Sequence, residues 1–153
     1  MANNKSGGPG SRHVRDVMTA NPQSVSEKDS VLEVARIMRD ADTGIVPVVD
    51  GRKIIGMVTD RDIVVRAIAD GRNIGDVRVN EIMTKHVRSV TEDTSVDEVL
   101  NLMSSAQVRR VPVVNGSNEL VGIVSMGDIS TNTNRDGKVG QTVENISEAP
   151  PNN

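Results

Sequence analysis

This sequence contains no cysteine, phenylalanine, tyrosine or tryptophan. Without cysteine it has no disulfides, thiolate metal sites, iron–sulfur clusters or cysteine nucleophiles. Without aromatic rings it lacks the platforms on which single-stranded nucleic acids stack. Any core must then be built from Val, Ile, Leu, Met and Ala. His13 and His86 are the only histidines, so a His-rich zinc site or a Ser-His-Asp triad has little to draw on. No apolar run approaches the roughly 20 residues of a membrane span. The first residues, Met-Ala-Asn-Asn-Lys-Ser-Gly-Gly-Pro-Gly, lack the apolar stretch of a secretory signal. The expected location is cytoplasmic, with no membrane partner.

What is present is an ordinary charged chain of 153 residues, 36% hydrophobic and 25% charged. The 18 basic and 21 acidic residues leave a formal charge of -3, which argues against a general nucleic-acid binder. Residues 1–13 and 132–153 are polar and rich in Gly, Asn and Pro, the composition of tails that cannot offset their ordering entropy. Within the second tail, Val139, Val143 and Ile146 recur at i, i+4, i+7, which reads either as a short helix over 139–146 or as chance periodicity in a tail.

The rest of the chain is a duplication. Asp16-Val-Met-Thr, Ser30-Val-Leu-Glu33 and Ile45-Val-Pro-Val-Val return as Glu81-Ile-Met-Thr, Ser95-Val-Asp-Glu98 and Arg110-Val-Pro-Val-Val at a constant offset of 65 residues. One extra residue near Asn115-Gly116-Ser117-Asn118 makes the later offset 66, which pairs Gly56-Met-Val-Thr-Asp-Arg-Asp62-Ile63 with Gly122-Ile-Val-Ser-Met-Gly-Asp128-Ile129. The two motifs span 14–70 and 79–131, with a linker over 71–78.

Each motif reads as β-α-β-β-α. Ser30 with Glu33, and Ser95 with Glu98, have the spacing of capping boxes at helix starts. Val31, Val34, Ala35 and Met38, like Val96, Val99, Leu100 and Met103, then form one apolar helix face. Ile45–Val49 and Val111–Val114 read as strands, followed by hairpin signals at Asp50-Gly51 and Asn115-Gly116. Pro47 and Pro112 predict that these strands lie at sheet edges or carry bulges. The return strands end at Thr59 and Ser125, where Ser/Thr-x-x-Asp starts a second helix. In the first motif that helix carries an apolar stripe, Ile63, Val64, Ala67 and Ile68. One motif is too small to close a good core alone, so an α/β (α+β) fold is expected, with two motifs packed sheet to sheet about a pseudo-twofold axis.

The duplicated Asp/Glu-apolar-Met-Thr, apolar-Pro-Val-Val and Gly-x-x-Thr/Ser-x-x-Asp-Ile landmarks resemble a tandem pair of CBS motifs, the Bateman module, and in particular stand-alone bacterial CBS-pair proteins. The resemblance implies a non-enzymatic regulatory or signalling module. It would sense AMP, ADP, ATP, S-adenosylmethionine or a related adenosyl ligand in clefts between the motifs, and it would require no cofactor. It assigns the ribose to Asp62 and Asp128, whose carboxylates can accept bonds from a vicinal diol, and sugar or phosphate contacts to Thr59 and Ser125. A cap at the helix start is the structural alternative for all four. It places Arg109 and Arg110 near phosphates; the first motif has Gly44 and Ile45 there, so the two sites are expected to be unequal. With no ring to stack on, adenine would lie against Val46, Pro47, Val111 and Pro112, whose alternative role is strand core. Arg61, paired with Gly127, is either a compensating cation or surface, and His86 reads as an exposed loop residue.

A ligand-free structural or dimerisation scaffold acting on a separate partner is the competing reading. No paired catalytic carboxylates, nucleophile–base spacing or phosphate-cradling glycine loop points to an enzyme. The broad apolar helix faces predict a homodimer, with a tail over 139–146 folded back on them as the alternative, and with no effector domain beside the two motifs the chain is expected to act through a separate effector protein or by its own assembly.

Overall fold

The structure, a computed structural model, describes residues 12–133; the helix expected over 139–146 lies outside them. Among the described residues, five α-helices alternate with the strands of two sheets. They are α1 (Val14–Val17), β1 (Thr19–Ala20), β2 (Val25–Ser26), α2 (Val31–Ala41), β3 (Ile45–Asp50), β4 (Lys53–Thr59), α3 (Asp60–Ile63), β5 (Val90–Thr91), α4 (Val96–Ala106), β6 (Arg110–Val114), β7 (Leu120–Ser125) and α5 (Met126–Thr133). A π-helical turn, Val64–Ile68, extends α3, and a 3-10 turn covers Val79–Glu81. The order β-α-β-β-α therefore occurs twice, as the periodicities predict.

The chain divides into two compact units that are not simply the two repeats. The first unit holds residues 22–88 and 117–120; the second holds the described residues before 22, together with 89–116 and those from 121 onward. Each unit thus takes the body of one repeat and the lead-in segment of the other.

In the first unit, sheet order is β2-β3-β4. The β3–β4 hairpin turns through Gly51, whose φ of +65° suits a residue without a Cβ, and Asp50 pairs with Lys53. The core joins Val31 and Val34 of α2 to Val46, Val48 and Val58 of the sheet. Val77, Val79, Ile82 and Met83, which precede the second repeat, complete it. Thr84 then pairs with Met57, each amide donating to the other's carbonyl at 2.8 and 2.9 Å.

The second unit has the sheet β1-β7-β6-β5. Here the lead-in comes from the start of the chain. β1 pairs antiparallel with β7 through Thr19↔Ile123 and Ala20↔Gly122. Val14 and Val17 of α1 pack with Val96, Val99, Leu100 and Met103 of α4. Each such valine or leucine, fully buried, contributes about 1.5–3 kcal/mol.

Three local expectations change. Ser30 and Ser95 cap α2 and α4 by accepting the N–H of Glu33 and Glu98 at 3.3 and 3.1 Å, the hydroxyl half of each box. The proline-bearing strands β3 and β6 are interior, not edge, strands. Proline is tolerated because the parallel neighbours pair only beyond it, at Val25↔Val48 and Ser26↔Val49, and at Val90↔Val113 and Thr91↔Val114. A bulge does occur in β3, between Val48 and Val49. Finally, the π turn splits the stripe predicted after Asp62. Ile63 and Ala67 are buried, while Val64, Val65 and Ile68 are 53%, 50% and 54% exposed.

Candidate functional site

Each unit turns a corner where its last strand enters its terminal helix. Thr59 ends β4 in an extended conformation, φ -106° and ψ 161°. Its hydroxyl accepts the N–H of Asp62 at 3.0 Å, and its own N–H donates to Oδ2 of Asp62 at 2.9 Å. Ser125 and Asp128 repeat both bonds in the second unit, at 2.9 and 3.3 Å. Both halves of the capping box are therefore present at both corners, with each carboxylate against the positive end of a helical turn. The predicted cap role of Thr59, Asp62, Ser125 and Asp128 is thus realised in full.

A second backbone bond ties each corner to the strand beside it. The amide of Asp60 donates to the carbonyl of Gly44 at 2.9 Å, and that of Met126 to the carbonyl of Arg109 at 2.7 Å. Arg109 and Arg110, both half-buried, therefore stand beside the Ser125–Asp128 corner. Gly44 and Ile45 occupy the matching place beside Thr59–Asp62, so the strand that adjoins the corner carries an arginine pair in one unit and not in the other.

The corners also differ in the carboxylate. Asp62 is 7% exposed, the one buried charged side chain among the described residues, whereas Asp128 is half-buried. Two groups absent from the predicted set meet Asp62. The Thr84 hydroxyl donates to it, lying 3.3 Å from both carboxylate oxygens. Arg66 Nε lies 3.7 Å from Oδ1, and its Nη1 donates to the carbonyls of Ile82 and Met83 at 3.3 and 3.4 Å. The i, i+4 spacing of Asp62 and Arg66 is a visible signal for the ion pair. Thr84 belongs to the duplicated Met-Thr landmark, but no local spacing ties it to Asp62, 22 residues away.

Val46 and Val111, at 1% exposure, belong to the two cores, and Pro47 and Pro112 are buried beside them. Arg61 and His86 are exposed. Among the described residues, no three His, Asp or Glu side chains cluster so as to hold a metal ion, and no helix is long and apolar enough to cross a membrane.

The chain and its fold have counterparts among known proteins. A model of the CBS domain family matches residues 14–68 and 79–132. An uncharacterised protein of Bacillus subtilis, YlbB, is 43% identical over 137 residues, covering 88% of this chain and 91% of that one. A crystal structure of Hypoxic Response Protein I with two coordinated zinc ions superposes with a TM-score of 0.72 at 36% identity, over 78% of this chain and 98% of that one. The CBS domain pair of protein MJ0100, in complex with 5'-methylthioadenosine and S-adenosyl-L-methionine, gives 0.71 at 33% identity, over 79% and 98%. With two matched domains spanning most of its length, the chain belongs to the CBS-domain family and carries a pair of CBS domains.

Proposed function

We propose that this CBS pair is a non-catalytic regulatory module whose Thr59–Asp62 and Ser125–Asp128 corners take the ribose of an adenosyl ligand: AMP, ADP, ATP or S-adenosylmethionine. The observation that carries the reading is the duplicated capping box. It fixes a hydroxyl and a carboxylate side by side at the start of a helix, where the carboxylate can accept from a sugar diol and the first helical amides can face an anion. The MJ0100 pair, bound to adenosyl compounds, supports the ligand class. Arg109 and Arg110 make the second corner the better place for a phosphate. The exposed Val64, Val65 and Ile68 suit a homodimer contact, through which occupancy would reach a separate effector protein in the cytoplasm.

The test is the melting temperature of the full chain with millimolar AMP, ADP, ATP and S-adenosylmethionine. A ligand that binds only the folded state stabilises it by mass action, about 2.7 kcal/mol at a hundred times its Kd. At least one should raise the melting temperature, and replacing Arg109 and Arg110 by Ala should weaken AMP more than adenosine. If none shifts the transition, the sensor reading fails. The scaffold reading would then stand, and one observation favours it: Asp62 is already occupied by the protein's own donors.

A further inference from the structure

We infer that Arg66 couples the Asp62 corner to the exposed apolar face of the π turn, so that an adenosyl ligand taking the Asp62 carboxylate releases the turn and redraws that face. The coupling rests on the reading of this corner as a ribose site and adds the route by which occupancy leaves it.

Arg66 is the middle residue of the π turn Val64–Ile68. That turn carries Val64, Val65 and Ile68 outward and Ala67 inward. The Arg66 side chain reaches back across the corner. Its Nε lies 3.7 Å from Oδ1 of Asp62, and its Nη1 donates to the carbonyls of Ile82 and Met83 at 3.3 and 3.4 Å. One guanidinium therefore joins the carboxylate, the π turn and the segment that leads into the second repeat. That segment is fixed to β4, because Met57 and Thr84 exchange two backbone bonds. The strand side is the anchor, and the turn is the element with freedom to move.

A π turn is a rare winding that seldom lasts beyond a single turn and is frequent at functional sites. Here the amide of Ala69 donates to the carbonyl of Val64 at 2.8 Å, and that of Arg72 to Ala67 at 3.1 Å. Both bonds span five residues instead of the usual four. Upstream, the Thr59–Asp62 cap and buried Ile63 hold the start of the helix. The change of winding thus falls on the stretch whose side-chain tie is Arg66. Rewinding to four-residue bonds rotates the residues after Val64 about the helix axis and changes how Val65 and Ile68 face outward.

A ribose diol donates to the carboxylate. Oδ2 already accepts the Thr59 amide. Oδ1 faces Arg66 across a gap too long for a hydrogen bond, so a sugar hydroxyl bonded to Oδ1 from that side displaces the guanidinium. The ligand then favours the released turn, which is the differential affinity that any coupling requires.

The test is amide hydrogen exchange on the full chain, without and with ligand. Arg66 is exposed, and its removal leaves the core intact. Without ligand, Arg66→Ala should exchange about tenfold faster than wild type at Ala69 and Arg72, with the amides of β3 and β4 unchanged, the pattern of local opening. Asp62→Asn keeps a capping oxygen and loses the charge, and it should speed the same two amides. Unchanged exchange there in Arg66→Ala overturns the coupling. With saturating AMP or S-adenosylmethionine, wild-type exchange at Ala69 and Arg72 should rise by about tenfold, while Arg66→Ala, already released, shows no further rise. A purely structural Arg66 would leave the response to ligand in place. An equal rise in both proteins, or no rise in a wild type that calorimetry shows to bind, overturns the coupling. If neither probe binds the wild type, the ribose reading falls and the coupling with it, and the ligand-free arm still reports whether Arg66 holds the turn.

Discussion

Gly56 and Thr84 lie so close that a Cβ on Gly56 would stand 2.8 Å from the Thr84 carbonyl oxygen. The equivalent pair in the second unit, Gly122 and Thr19, leaves 3.0 Å, with Met18 Sδ at 2.7 Å. In both units glycine is what lets the lead-in of the other repeat lie against the last strand.

The first prediction follows from that contact. Gly56→Ala should destabilise the protein by about 1–3 kcal/mol, the usual cost of overpacking, because its nearest obstacle is backbone held by two hydrogen bonds. Gly122→Ala should cost less, since its nearest obstacle is the end of a flexible methionine. Urea denaturation of both variants checks the ranking; equal costs would mean that the Thr84 segment yields as easily as a side chain.

The exchanged lead-ins carry a second prediction. Ile82 is 1% exposed and packs in the core of the first unit, though it lies outside that repeat's own body. Ile82→Ala should cost about 2–5 kcal/mol, and Val14→Ala, in the other unit's core, somewhat less for its smaller side chain. Ile68→Ala on the exposed face should change monomer stability by under about 0.5 kcal/mol. Thermal denaturation at low protein concentration separates the three.

Both long helices end on a residue in the left-handed region, Asp42 at φ 52° and Gln107 at φ 57°. A side chain there is strained and glycine is not. Gln107→Gly should therefore stabilise the protein by about 0.5–1 kcal/mol, after the greater unfolded-state entropy of glycine is deducted. A lower urea midpoint would show that the Gln107 side chain contributes more than its backbone strain costs.

The apolar face of the π turn supplies the last prediction. Val65→Asp together with Ile68→Asp should leave the folded protein intact, since both positions are half exposed, and should convert a sedimenting dimer to monomer. A wild-type chain that sediments as a monomer at micromolar concentration removes this face as a self-contact. A dimer that persists in the double variant places the contact elsewhere.

The sequence by itself determined whatever depends on near neighbours. Ser30, Ser95, Thr59 and Ser125 cap helices where their spacing says they should, because a cap is a bond over three residues. The helix face of Val96, Val99, Leu100 and Met103 is buried as its periodicity requires, that of the first motif is buried at Val31 and Val34 and partly buried at Ala35 and Met38, and the duplication alone identified the family resemblance. Periodicity reports that a side chain is buried, not what it is buried against. Only tertiary structure could therefore decide that Val14 and Val17 fill the second unit while Val79 and Ile82 fill the first. The same holds for Pro47 and Pro112, which are tolerated in interior strands because their parallel neighbours begin one residue later. It holds most of all for Asp62. Its cap was legible from Thr59, but the hydroxyl of Thr84 reaches it across 22 residues of chain, a distance over which pairing is set by the folded path and by no local preference.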